Sequence, residues 1–214
     1  MKTLIIEDHS YLSGIYLEIL TNVLNYDVVG IAKDGAEALE LLTLKPEFII
    51  SDIKIPKING MELVYNLRRN GDNAKILIIS GSTDPFMVHI AMTFRINGYI
   101  DKSELNLDTL SLHIQKISKG EDHFSPLFSK IRKEILGRTD SFNRILSDRE
   151  MQYLTFIASH SEAEICAIMQ VKDSSLKAYR KSLYQKLRID SFQELVRYAA
   201  QNGFLNRFNL PNYH

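Results

Sequence analysis

Residues 46–60 read PEFIISDIKIPKING: an apolar run, Phe48 to Ser51, ends on Asp52, and the loop after it carries Pro56 and Gly60. A short apolar run bounded by turn residues reads as a strand buried on both faces, as in a parallel sheet. Four further runs share this form: Thr3 to Ile6, Val28 to Ala32, Ile76 to Ser80, and Tyr99-Ile100. Between them, Tyr11 to Leu24, Gly35 to Leu44, Met61 to Arg69 and Pro85 to Phe94 place apolar residues at helical spacing, and Leu107 to Ile117 follows the last run. Five such βα units predict a doubly wound α/β domain, (βα)5, over residues 1–119.

Outward from there the pattern changes. Gly120 ends the fifth helix, 124–136 is a shorter helical candidate, and 137–143 is polar, so residues 120–144 read as a linker. From Leu146 every segment is helical. Ser147 with Glu150, Ser161 with Glu164, and Ser191 with Glu194 each fit a capping box, in which both side chains satisfy free N-terminal amides. A fourth helix starts near Asp173 or Ser174, and Asn202-Gly203 suits a left-handed helix end. Residues 145–214 therefore predict an all-α domain.

The chain has 214 residues, 26 basic and 26 acidic, and 45% hydrophobic, enough for two cores. The balance is not local. Up to Lys119, 12 basic residues face 15 acidic ones, and from Ser147 onward 9 face 7, so the two halves suit different partners. A lone Cys166 in a helical pattern reads as a small packing residue. No run approaches the length needed to cross a bilayer, and the expectation is a cytoplasmic protein with no membrane partner.

In a doubly wound sheet, ligands bind beyond the carboxyl ends of the strands. The residues there are Glu7, Asp8, Asp52, Ser80 and Lys102. Three converging carboxylates repel one another unless a hard cation joins them, and oxygen donors with room for waters and a phosphate suit Mg2+. The Lys102 ammonium can neutralise a phosphoryl oxygen, Ser80 can hydrogen-bond another, and Gly81 leaves space. Asp52 is the natural nucleophile. Singly, each residue has a plainer explanation: an acid after a strand is often a helix cap, and Ser80 an ordinary loop residue. Together, at successive strand ends, they read as a phosphoryl site.

These motifs, with Gly98-Tyr99-Ile100-Asp101-Lys102, resemble the receiver domain of bacterial response regulators over Lys2 to Lys119. The resemblance implies that Asp52 accepts a phosphoryl group from a cognate histidine kinase. It also implies that Glu7, Asp8, Asp52 and the Lys54 backbone carbonyl hold Mg2+, that Lys102 and Gly81 lie at the phosphoryl group, and that Ser80 and Tyr99 form a switch pair. Phosphorylation would then draw Ser80 in and let Tyr99 turn inward. Glu7 stands where aspartate is commoner, and Phe94-Arg95-Ile96 where small residues are usual.

Leu146 to Phe204 resembles the NarL/FixJ (LuxR-type) helix-turn-helix domain, through Leu146-Ser147-Asp148-Arg149-Glu150, Ser161-Glu162-Ala163-Glu164-Ile165, Leu176-Lys177-Ala178-Tyr179-Arg180 and Lys186-Leu187-Arg188-Ile189. Ile165, Ile168 and Met169 form one face of a scaffold helix, and Leu176, Leu183 and Leu187 the stripe of the next. Off that stripe, Lys177, Ala178, Tyr179, Arg180 and Lys181 are expected at double-stranded DNA, with Ser174 and Ser175 gripping a phosphate. Lys177 and Lys181 should face the groove, and Arg180 the DNA backbone. The final helix, with Leu195, Val196, Tyr198 and Ala199, reads as either core or dimer surface, and the resemblance suggests a homodimer on phosphorylation through it. A transcriptional regulator, and not an enzyme, is the expectation: an aspartyl phosphatase needs an acid two residues after its nucleophile, and Lys54 is there.

Overall fold

The computed structural model describes residues 1–205, and the last part of the range 145–214 lies outside the described residues. The chain folds as two compact units, the first comprising Met1–Thr83 and Ile90–Lys130, the second Asp84–His89 and Ile131 onward.

The first unit is built on a parallel sheet of order β2-β1-β3-β4-β5-β6. Its strands are β1 (Lys2–Ile6), β2 (Asp27–Ala32), β3 (Phe48–Asp52), β4 (Lys75–Ser80), β5 (Gly98–Asp101) and β6 (His123–Phe124). Helices α1 (Ser10–Glu18), α2 (Gly35–Leu41), α3 (Gly60–Arg69), α4 (Pro85–Thr93) and α5 (Leu107–Ser118) connect the first five strands and follow the fifth. The five βα units stand as predicted. Central strands β3 and β4 are buried almost throughout, which is why they read as continuous apolar runs. Parallel register sets Ile6 beside Ser51 and Asp52 beside Ile79, so the strands end together along one edge of the sheet. The start of α3 lies against that edge: a Cβ on Gly60 would collide with the Asp52 carbonyl oxygen. Helix α1 continues as a π-helical stretch, Ile19–Val23.

The sixth strand falls inside the segment that the sequence assigns to a linker. His123 N–H donates to Asn97 O and Ser125 N–H to Tyr99 O, each at 2.8 Å, adding β6 to the outer edge of β5. Gly98 permits this approach, since a Cβ there would strike Ile117 and His123. Side chains then fasten the strand: His123 packs on His113 of α5 at 4.3 Å between ring centroids, and Phe124 stacks on the fully buried Phe128 at 4.7 Å.

In the second unit, α6 (Pro126–Gly137), which begins in the first, and α7 (Phe142–Ile145) precede α8 (Asp148–Phe156), α9 (Glu162–Met169), α10 (Asp173–Leu187) and α11 (Phe192–Gln201). Both halves of the capping box close at Ser147/Glu150 and at Ser161/Glu164. At α11 only the Ser191 half forms, because the Glu194 carboxylate accepts instead from Asp190 N–H and the Ser191 hydroxyl. Leu154, Ile165, Met169, Leu176, Leu183, Leu195 and Ala199 form the buried interior. Ile168, read as part of that face, is 44% exposed. No helix among the described residues is long and apolar enough to cross a membrane.

Candidate functional site

The strand ends bring the predicted acids and lysine together. Glu7, just beyond β1, is fully buried, and Asp52, the last residue of β3, is 5% exposed. Lys102 Nζ lies 2.7 Å from Asp52 Oδ2 and 3.4 Å from Glu7 Oε2. Burial pulls the Lys102 ammonium down, but the bond and charge of Asp52, with Glu7 adding, outweigh it and hold the group above its ordinary value. Asp52 Oδ1 accepts from the backbone N–H of Ile53 at 2.5 Å and of Lys54 at 3.2 Å, so the turn after β3 orients the carboxylate. The Lys54 side chain is exposed, and Gly81, also exposed, has open space where a Cβ would stand.

Lys102 is placed by its neighbour. Asp101, buried, caps a 3-10 turn over Lys102–Glu104 by accepting from Ser103 N–H at 2.9 Å and Ser103 Oγ at 2.5 Å. It also accepts from Thr83 Oγ1 at 2.5 Å, which ties the loop after β4 to β5. Burial pushes this carboxyl up, yet the Ser103 and Thr83 bonds hold it below its ordinary value.

Two residues at the site escape the sequence reading. His9 Nδ1 is 3.0 Å from both Glu7 Oε1 and Asp8 Oδ1, and its donor atom with theirs forms a possible metal-binding group. The Glu7 bond, then the Asp8 charge, raises the His9 pKa. That ring nitrogen is hydrogen-bonded to Glu7, and the buried Asp8 Oδ1 accepts no hydrogen bond among the described residues. Tyr16 of α1 buries its hydroxyl, also without a hydrogen-bond partner among the described residues, and burial with Glu7 and Asp52 nearby pushes that phenol up. The position of His9 directly after the acid pair was the available signal; nothing in helical spacing distinguishes Tyr16 from packing.

The switch residues differ from expectation. Ser80 is 1% exposed and its hydroxyl is engaged with Ser82, accepting from its N–H at 3.2 Å and donating to its carbonyl at 3.3 Å. Tyr99, expected to turn inward only on phosphorylation, is already fully buried. Its hydroxyl donates to the Ser82 carbonyl at 2.6 Å, and the Phe128 ring covers it at 4.9 Å. A satisfied phenol and an aromatic cover together stabilise the inward rotamer.

The second candidate site is α10. Ser174, Lys177, Ala178 and Lys181 are exposed on one face, while Ser175, Tyr179 and Arg180 are half-buried. Arg180 does not point free toward a DNA backbone: its Nη1 is 2.6 Å from Glu162 Oε1 in the first turn of α9. Lys177 Nζ is 2.6 Å from Asp173 Oδ2 one turn back. Lys181 is exposed without an ion pair among the described residues. Of the two readings of the last helix, core holds for Leu195 and Ala199, which leaves them off any dimer surface. Leu195 and Ala199 are fully buried because they fill the core of their own unit, and Val196 and Tyr198 are half-buried. The face of α11 left open carries Phe192, 43% exposed, and Arg197 and Ala200.

Comparison with known proteins places both segments in known families. Residues 3–115 match the response regulator receiver domain, and residues 144–199 match bacterial regulatory proteins of the luxR family. The response regulator GacA of Pseudomonas aeruginosa is 27% identical over 96% of this chain and 98% of its own. The response regulator protein VraR of Staphylococcus aureus is 25% identical over 96% and 99%. Among solved structures, RcsB of Salmonella enterica serovar Typhimurium, bound to promoter rprA in the presence of phosphomimetic BeF3-, shares the fold. Its TM-score is 0.66, at 20% identity, over 94% of this chain and 98% of that one. An acid-lined sheet edge and a helix-turn-helix, each matched by its own family, make the chain a two-component response regulator of the NarL/FixJ type, a DNA-binding transcription regulator.

Proposed function

We propose that Asp52 accepts a phosphoryl group from a histidine kinase and that this modification promotes dimeric binding to double-stranded DNA. The observation that carries the reading is the buried Asp52 carboxylate, oriented by two backbone amides and held 2.7 Å from Lys102 beside Glu7 and Asp8. In the transfer, an Asp52 carboxylate oxygen bonds to phosphorus as the bond to the kinase imidazole nitrogen breaks, and the ring leaves with that electron pair. Lys102 then turns from carboxylate to phosphoryl oxygen, carrying the charge that the new anion needs.

The donor set fits a hard divalent cation. Glu7, Asp8, Asp52 and the Lys54 carbonyl are all oxygen ligands, and the buried Asp8 Oδ1, which accepts no hydrogen bond among the described residues and has only the His9 ring nitrogen at 3.0 Å, is an atom such an ion satisfies. Bound Mg2+ supplies charge neutralisation at the phosphoryl group. Catalytic turnover of small phosphoesters is no part of this reading, since the exposed Lys54 occupies the place of the acid that it requires. Dimerisation is assigned to the open face of α11, led by Phe192.

Incubation with acetyl phosphate tests the reading. Intact-protein mass should show one phosphoryl group on the parent with Mg2+, none after chelation, and none on Asp52→Asn, with sedimentation moving toward dimer only in labelled protein. Persistent labelling of Asp52→Asn would place the acceptor elsewhere.

A further inference from the structure

Helix α10 begins at Asp173, and α9, the helix that crosses the DNA backbone in a helix-turn-helix, begins at Glu162. Helix N-termini ordinarily offer amides to phosphates. Here each of the two starts carries a carboxylate, and each carboxylate holds a cation of the DNA-facing helix: Asp173 holds Lys177, and Glu162 holds Arg180, both at 2.6 Å. Both acids are more than half exposed, so neither pair contributes much to folding. Lys181, on the same face, has no such partner among the described residues.

We infer that Glu162 and Asp173 are internal counter-anions which set the non-specific DNA affinity and so determine specificity. A phosphate reaching Lys177 or Arg180 must displace a carboxylate already in place, and it meets that carboxylate's repulsion. Binding to random duplex rests almost wholly on phosphate contacts and loses most by this. A true site adds base-edge contacts from side chains that neither acid holds, Lys181 among them, so the ratio of specific to random affinity rises. The inference rests on the DNA-binding reading of α10.

The test compares parent, Glu162→Gln and Asp173→Asn in full-length protein, with Asp108→Asn, an exposed acid on α5, as a control of equal net charge. Binding is titrated on random-sequence duplex and on the duplex that the parent enriches from a random pool, at several salt concentrations. Each variant should bind random duplex about 3- to 10-fold more tightly, with a salt slope steeper by up to about one and a smaller specific-to-random ratio, while Asp108→Asn matches the parent. Thermal unfolding checks that the folds are intact, and if one variant unfolds the other carries the comparison. If the parent binds duplex but neither folded variant binds tighter, the counter-anion role is wrong and the DNA reading stands. Failure of the parent to bind any duplex at low salt removes both.

Discussion

Lys102 is the residue through which the acid cluster is neutralised in the resting protein and, on the proposed function, through which the modified Asp52 is read. Its charge-assisted bond to Asp52, at 2.7 Å, is of the kind worth about 1.5–3 kcal/mol. Lys102→Ala should therefore slow labelling by acetyl phosphate roughly 10-fold or more while leaving Asp52 able to react. It should also reduce the gain in DNA affinity on phosphorylation toward none. Quantified phosphorylation followed by DNA titration measures both, and equal gains in variant and parent would refute the reading role. Much at this scale was legible in the sequence, because Glu7, Asp52, Ser80 and Lys102 each follow an apolar run whose end marks the sheet edge. The rotamer of Tyr99 was not legible: it depends on Phe128 and on the Ser82 carbonyl, contacts that only the fold supplies. Arg180 escaped for the same reason, its partner Glu162 lying 18 residues away on another helix.

Among the elements, the capping boxes show how one local motif acquires a tertiary role. Glu150 accepts from Ser147 N–H at 2.7 Å within its box, and also from Ser182 Oγ at 2.6 Å and Lys186 Nζ at 2.7 Å on α10. Burial pushes this carboxyl up, but Lys186, Ser182 and Ser147 together hold it below its ordinary value of 4.5. The folded form thus binds its proton more weakly than the unfolded chain does. The stability this confers is complete above about pH 4.5 and is lost as pH falls through the lowered folded value. Chemical unfolding between pH 6 and 3 should show the parent losing this contribution, whereas Glu150→Gln should be less stable by about 1–3 kcal/mol at neutral pH and show a shallower acid slope. Identical slopes would exclude Glu150 from the acid response. Helix α11 was harder to read because apolar residues occupy both its sides: Leu195 and Ala199 face the core, and Phe192 and Ala200 face out.

For the whole molecule, the sequence announced two domains and five βα units, but not β6, since two residues, His123-Phe124, carry no periodicity. A parallel sheet leaves its outermost strand with unpaired amides and carbonyls, a template for the next chain to join. In this protein β6 takes that place on β5. A fragment ending at residue 119 retains every βα unit yet leaves the Asn97 and Tyr99 carbonyls without their 2.8 Å donors and strips Phe128 from the Tyr99 ring. Compared with a fragment ending at 130, it should melt on the order of 10 °C lower and self-associate with rising concentration, as calorimetry and light scattering would record. Equal melting and equal monomer content would mean that the strand is ornamental. The portable module, the piece that can be exchanged between regulators and still fold as itself, thus extends past the fifth helix, and a chimaera joined at residue 119 would inherit a sticky edge.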